Sequence, residues 1–182
     1  MNGQPKQLLK FEGKTLLRRA AETALNTGCR TIAVLGANAD EAKKEIADLP
    51  LQIVVNENWA AGIGESIKTG LSALLPENPS AVVIMLCDQP FVTTETVNRL
   101  IEKHKQTGAP VAACFYNETL GVPALFARAL FDELSNLAGG AGAKAIIKKH
   151  AAEVAHTPAS EAAFDVDTQA DFQKLFGMTL HD

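Results

Sequence analysis

Three aspartates and one lysine stand where this chain could do chemistry. Asp88 directly follows Ala81-Val-Val-Ile-Met-Leu-Cys87, a seven-residue apolar run, and opens Asp-Gln-Pro. Such a run reads as a strand buried on both faces and central in a mainly parallel sheet. Ligands of open α/β sheets sit outside the carboxyl ends of the strands, so a carboxylate there faces the expected crevice. The alternative role for Asp88 is a turn residue bonding its own backbone ahead of Pro90. Asp165 and Asp167 are two residues apart, so an extended segment projects both carboxylates to one side. Asp167 or Thr168 serves equally as the cap of a final helix, with Asp171 near its first turn. If Asp88 meets one of these aspartates, they form an oxygen site suited to Mg²⁺, which takes few carboxylates and completes its shell with water and substrate phosphate. Lys6 lies in Gly3-Gln-Pro-Lys6, a turn that offers an ammonium to an anion, although a lysine so placed also reads as a solvated surface charge.

Asn56-Glu-Asn-Trp-Ala-Ala-Gly-Ile-Gly-Glu-Ser66 is a polar, glycine-rich loop running into a helix. Its backbone N–H groups can face an anion or a base, with Ser66 near the helix N-terminus. It matches neither the Walker nor the dinucleotide fingerprint. Trp59, the single tryptophan, reads as a packing anchor before a stacking platform. Gly121-Val-Pro123 and Gly139-Gly-Ala-Gly-Ala-Lys144 suit ligand-contacting loops and tight turns equally. His104, His150, His156 and His181 form no HExxH set, and no Gly-x-Ser-x-Gly elbow exists, so zinc hydrolase and serine esterase chemistry are poor fits.

These residues need a scaffold, and the pattern around them is α/β. Leu16, Leu17, Ala20, Ala21, Ala24 and Leu25 line one face of a helix closed by Gly28; Thr31–Gly36 reads as a buried strand, and a helix over 39–48 ends at Pro50. A strand over 52–56, a helix over 65–75, the strand before Asp88 and a helix capped by Thr93 or Thr94 follow. Strands near 110–115 and 122–126, helices near 127–137 and 142–150, a short strand around 153–156 and a helix from Gln169 complete the alternation. The 182 residues suit one domain, 1–182, without repeats. A formal charge of -4 leaves no basic field for a nucleic-acid partner. No apolar run approaches the roughly 20 residues a bilayer needs, so no membrane partner is expected. Cys29, Cys87 and Cys114 are widely spaced without a CxxC pair and read as buried thiols of a reducing compartment, the cytoplasm.

In order, Gly3-Gln-Pro-Lys-Gln-Leu-Leu9, Val34-Leu-Gly36, Asn56 with Trp59, Gly62 and Ser66, Gly70-Leu71, Cys87-Asp-Gln-Pro90, Gly121-Val-Pro-Ala-Leu-Phe126 and Asp165-Val-Asp-Thr168 resemble the motifs of the MobA-like nucleotidyltransferases. The nearest likeness is to their molybdenum cofactor cytidylyltransferase (MocA-like) branch. This resemblance implies a Rossmann-like three-layer α/β/α fold with a mainly parallel sheet, and Mg²⁺-dependent transfer of CMP from CTP to molybdopterin with pyrophosphate leaving. It implies that Gly3 and Lys6 contact the triphosphate, that Asn56, Gly62 and Ser66 lie along the nucleotide, that Asp88 holds Mg²⁺, and that Asp165 or Asp167 assists the metal or the acceptor. Lys6 and Asp88 thereby take the catalytic roles. An NTP, a molybdopterin-like acceptor and a molybdoenzyme are the implied partners. Transfer to a sugar phosphate or another small phosphorylated acceptor, and a non-catalytic nucleotide- or cofactor-binding role in molybdoenzyme maturation, stay open beside this reading.

Two departures from that family change the expectation. Its members begin with an apolar strand and an Ala-Ala-Gly-x-Ser-x-Arg loop, and Met1 falls where the family has the Met after that Arg. The resemblance thus implies a late start or a shortened form, lacking the usual first strand. A gap or a rearranged sheet is expected, with a neighbouring chain as a possible filler. Gly140 stands where the family often carries Asp in Gly-Asp-x-Gly, which weakens an acceptor role for 139–144.

Overall fold

Thr15, Thr93, Gly28 and Gly108 punctuate the chain, and helices start and stop at them. The computed structural model describes residues 5–178; Gly3 lies outside them. A small hairpin, β1 (Lys10–Phe11) and β2 (Lys14–Thr15), leads into α1 (Leu16–Leu25), whose cap Thr15 accepts a hydrogen bond from the Arg18 N–H (3.3 Å). Then come β3 (Ile32–Leu35), α2 (Ala39–Ile46), β4 (Gln52–Val55), α3 (Ile63–Leu74), β5 (Ala81–Ile84) and α4 (Thr94–Thr107). Thr93 and Thr96 form a capping box at the start of α4, and Gly108 closes it in a left-handed conformation. The remainder is β6 (Val111–Tyr116), β7 (Thr119–Ala127), α5 (Phe131–Ser135), α6 (Ala143–Lys149), β8 (Val154–Pro158) and α7 (Gln169–Met178).

A four-stranded sheet has the order β5-β7-β6-β8. Alternate residues of its strands feed two cores. Val82, Ile84, Val111, Ala113, Ala124 and Phe126 pack with α3, α5 and α6. Val83, Ala112, Cys114 and Leu125 pack on the other face with Val97 and Leu100 of α4. The three α/β/α layers follow from that alternation. β8 is parallel to β6, but β7 is antiparallel to both β5 and β6. The mainly parallel sheet of the sequence reading is therefore mixed at β7. Asn117 (φ 47°) and Glu118 (φ 56°) make a left-handed two-residue turn that folds β7 straight back on β6.

β3 and β4 form a separate parallel pair, with Ile32 opposite Gln52 and Leu35 opposite Val55. Among the described residues no ladder joins β3 to β5, so the expected gap is present, and β5 is an edge strand where a central one was expected. Every residue of β5 is half-buried although all are apolar. Cys114 is buried and Cys87 partly so, but Cys29 is exposed, because it follows the Gly28 turn that carries the chain out of α1. Among the described residues no helix is long and apolar enough to cross a membrane.

Candidate active site

Asp88 sits just beyond β5, and a knot of aromatic rings holds the chain there. Phe91 meets Phe11 edge-on at 6.0 Å between ring centres and Phe164 at 5.7 Å. Leu9, Phe11, Leu16, Val166 and Leu175 are buried around them. Leu9 anchors the single turn carrying Lys6: its N–H donates to the Lys6 carbonyl (3.1 Å), and its own carbonyl accepts from the Leu16 N–H (3.0 Å). Gln7 reaches the other way, its Nε2 donating to the Ala37 carbonyl beyond β3 (3.1 Å). The segment 165–167 is pinned by Val166, buried in the aromatic knot with its N–H donating to the Asp88 carbonyl (2.8 Å). Burying Val166 turns its two aspartate neighbours outward, as the alternation in the sequence implies.

Lys6 is the centre of the resulting cluster. Its Nζ donates to Asp88 Oδ2 at 2.5 Å and to Asp167 Oδ1 at 3.0 Å. Partial burial works against the ammonium, but the Asp88 and Asp167 carboxylates outweigh it and raise the Lys6 pKa above the ordinary lysine value. The Asp165 carboxyl is raised by partial burial and by the nearby Asp88 charge. The other Asp88 oxygen, Oδ1, is buried and has no hydrogen-bond partner among the described residues. A buried carboxylate oxygen left bare is costly unless something cationic or a donor faces it. Among the described residues no three His, Cys, Asp or Glu side chains form a ready-made metal cage. What is present is two carboxylates with an ammonium between them, beside a third.

The glycine-rich loop is braced from within. Asn56 is 3% exposed; its Nδ2 donates to Ser66 Oγ (3.1 Å) and its Oδ1 accepts from the Asn58 N–H (2.9 Å). Asn56 and Ser66 thus brace each other across the loop that opens α3. Gly62 has φ 116°, and a side chain there would run into the Gly139 carbonyl, to which the Gly64 N–H also donates (2.9 Å). This glycine lets the loop lie against the 139–142 segment. Trp59 is exposed and rests on Gly36.

Gln89 went unassigned in the sequence reading. It is 4% exposed, and its Nε2 donates to the carbonyls of Val122 (3.2 Å) and Ala162 (2.9 Å). Tyr116 donates its hydroxyl hydrogen to the same Val122 carbonyl (2.9 Å) and lies over Gly121. Gln89 thereby ties the Asp88 turn to β7 and to the segment before Asp165. The signal was an amide side chain directly after the candidate carboxylate.

The chain matches the MobA-like NTP transferase domain over residues 1–154. It is 40% identical over 102 residues to the nicotine blue oxidoreductase of Paenarthrobacter nicotinovorans, a match covering 56% of this chain and 49% of that relative. The chain thus spans about half the length of that curated relative. A homologue of Rv0371c from Mycobacterium sp. strain JC1 superimposes with a TM-score of 0.82 at 31% identity, covering 98% of this chain and 89% of the other. A manganese complex of Rv0371c from Mycobacterium tuberculosis H37Rv gives 0.77 at 29% identity, covering 95% and 91%. With residues 1–154 matched by that domain, the chain belongs to the MobA-like NTP transferase family.

Proposed function

We propose that this chain is a divalent-cation-dependent nucleotidyltransferase that moves CMP from CTP to molybdopterin and releases pyrophosphate. The observation that carries the reading is the Lys6, Asp88 and Asp167 cluster, with Asp88 Oδ1 buried and unbonded at the carboxyl end of β5. Asp88 and Asp167, with Asp165 beside them, would hold Mg²⁺, and one or two carboxylates with room for phosphate oxygens are the donor set that ion takes. When bound, the cation neutralises charge on the triphosphate and on the departing pyrophosphate. The likeness to a manganese complex supports a divalent cation in this family.

The acceptor phosphate is already anionic, so its oxygen attacks the α-phosphorus without a strong base, and the bond to the β-phosphate oxygen breaks. The difficulty is bringing two anions together. Lys6 meets it by exchanging its carboxylates for phosphate oxygens, while Asn56 and Ser66 hold the loop that flanks the nucleotide. The reading puts the activity in the cytoplasm, with a molybdoenzyme as downstream partner.

Pyrophosphate release with CTP or GTP, Mg²⁺ and molybdopterin tests the proposal. CTP-dependent release that Asp88→Ala lowers by about 100-fold or more, with unchanged circular dichroism, is expected. Release only with a different phosphorylated acceptor overturns molybdopterin, and turnover retained in Asp88→Ala removes Asp88 from the site. The oxidoreductase name of the 40%-identical relative favours reduction as a second reading, and loss of nicotine blue colour with a reduced nicotinamide would support it over transfer.

A further inference from the structure

Two consecutive residues, Asp88 and Gln89, hold the stretch that carries Asp165 at both of its ends. The Asp88 carbonyl accepts the Val166 N–H (2.8 Å), and the Gln89 Nε2 donates to the Ala162 carbonyl (2.9 Å). One backbone bond and one side-chain bond thus fix the 162–166 segment to the turn after β5. The same Nε2 donates to the Val122 carbonyl of β7 (3.2 Å). That carbonyl also accepts from the Tyr116 hydroxyl (2.9 Å), so both of its lone pairs are taken and β7 is held from two sides. On a residue 4% exposed, an amide whose two hydrogens go to separate segments is a fixed fork. Its other end works against stability. Gln89 Oε1 is buried and has no hydrogen-bond partner among the described residues, a cost that packing does not explain.

On the metal reading proposed above, we infer that Gln89 is a positioning residue: its fork sets the separation between the Asp88 carboxylate and those of Asp165 and Asp167, and with it the affinity for the divalent cation. Asp88 rides on the turn itself, whereas Asp165 and Asp167 flank Val166, the residue whose N–H that turn holds. Without the bond to Ala162 the segment keeps only its Val166 end, and the two aspartates beside it gain freedom to shift. Mg²⁺ demands near-ideal octahedral geometry with oxygens at about 2.0–2.1 Å, so a small displacement of one carboxylate is felt. Groups that orient ligands without touching the metal change its affinity by about 10- to 100-fold when removed. Lys6 does not substitute for the fork. Its ammonium bridges Asp88 and Asp167 from the end of a flexible stem, and so follows their spacing rather than setting it.

The test is an electron-paramagnetic-resonance titration of Mn²⁺ into the 182-residue chain and into Gln89→Met, which keeps the length of the side chain and removes its donors. Mn²⁺ binding weaker by about tenfold or more is expected. Without metal, the Val166 amide of the variant should exchange at least about tenfold faster, with the β6 amides unchanged. In Asp167→Asn the same substitution should weaken Mn²⁺ by less than about threefold, because a carboxylate that Gln89 places is gone. A residue that only stabilises the fold would weaken binding equally in both backgrounds. In the unaltered chain the Gln89 side-chain amide should exchange at least about tenfold more slowly than that of the exposed Gln106, a reading that does not depend on any variant folding. Unchanged Mn²⁺ affinity in Gln89→Met, where Asp88→Ala has lost it, overturns the inference alone. Mn²⁺ affinity retained in Asp88→Ala overturns the metal reading and the inference with it. Equal losses in the two backgrounds, or a Gln89 amide exchanging as fast as that of Gln106, also overturn the inference.

Discussion

On the function proposed above, Lys6 and a divalent cation would compete for the same oxygens. The ammonium donates to Asp88 and Asp167 together, and those carboxylates hold it firmly in its charged form. In that proposal an incoming triphosphate would offer Lys6 a more highly charged partner and so free the carboxylates, which would make nucleotide and metal binding cooperative. Lys6→Met keeps the stem and removes the charge. It should bind Mn²⁺ without nucleotide at least about tenfold more tightly in an electron-paramagnetic-resonance titration, while losing about 100-fold or more in transfer. Unchanged Mn²⁺ affinity would show that the lysine and the metal do not share ligands. Cys87, one residue before Asp88, titrates differently. Burial, and then the Asp88 charge, push its thiol from 9.0 up to about 11. A thiol held neutral by the fold but free to ionise once unfolded contributes full stability below about pH 9 and loses it as pH rises toward 11. The urea stability gap between the unaltered chain and Cys87→Ala should therefore shrink by about 2 kcal/mol between about pH 8 and 10.5. A pH-independent gap would mean the thiol is not held neutral.

At the scale of elements, the loop that opens α3 depends on backbone meeting backbone. Gly62→Ala would force a side chain into a φ of 116° and against the Gly139 carbonyl, so it should cost about 2 kcal/mol or more in denaturant unfolding. Gly140→Ala, with no atom within 4 Å of an added Cβ, should cost less than about 1 kcal/mol. Equal costs would show that the contact between the two loops is not what holds them. The sequence made the helices and strands legible because apolar periodicity and caps agree locally: α4 and α7 begin at or beside the residues that chemistry assigns them. It made Asp88, Lys6 and the Asp165–Asp167 segment legible as separate candidates, but bringing them together takes tertiary contacts, Val166 in the aromatic knot and Leu9 beneath Lys6, that no local pattern announces. The β7 reversal was hidden because Asn117-Glu118 lacks the glycine that usually marks such a turn. The contact of Gly62 with Gly139 was hidden as well, because Gly139 is far away in sequence.

At the scale of the whole molecule, the divided sheet sets an order of stability. β6 is paired on both sides, by β7 and β8, and its Val111, Ala112, Ala113 and Cys114 are fully buried. Among the described residues β3 is paired on one side only, by β4, and of its four residues Leu35 alone is buried. Two sheets joined by helices and the Lys6 turn rather than by a ladder can open separately, since regions with few buried apolar contacts and exposed backbone bonds unfold at lower free energy. Native-state hydrogen exchange should accordingly release the β3 and β4 amides at least about tenfold faster than those of β6, with the difference vanishing only under conditions that unfold the entire chain. Lys6 and Asp88 stand at the end of this seam, so opening it would separate Gln7 and the β3 end from the β5 end and scatter the site. Raising urea below the global midpoint should then reduce Mn²⁺ binding before it changes the β6 amides. Simultaneous loss of metal binding, β3 protection and β6 protection would instead show that the two sheets behave as one cooperative unit despite the gap.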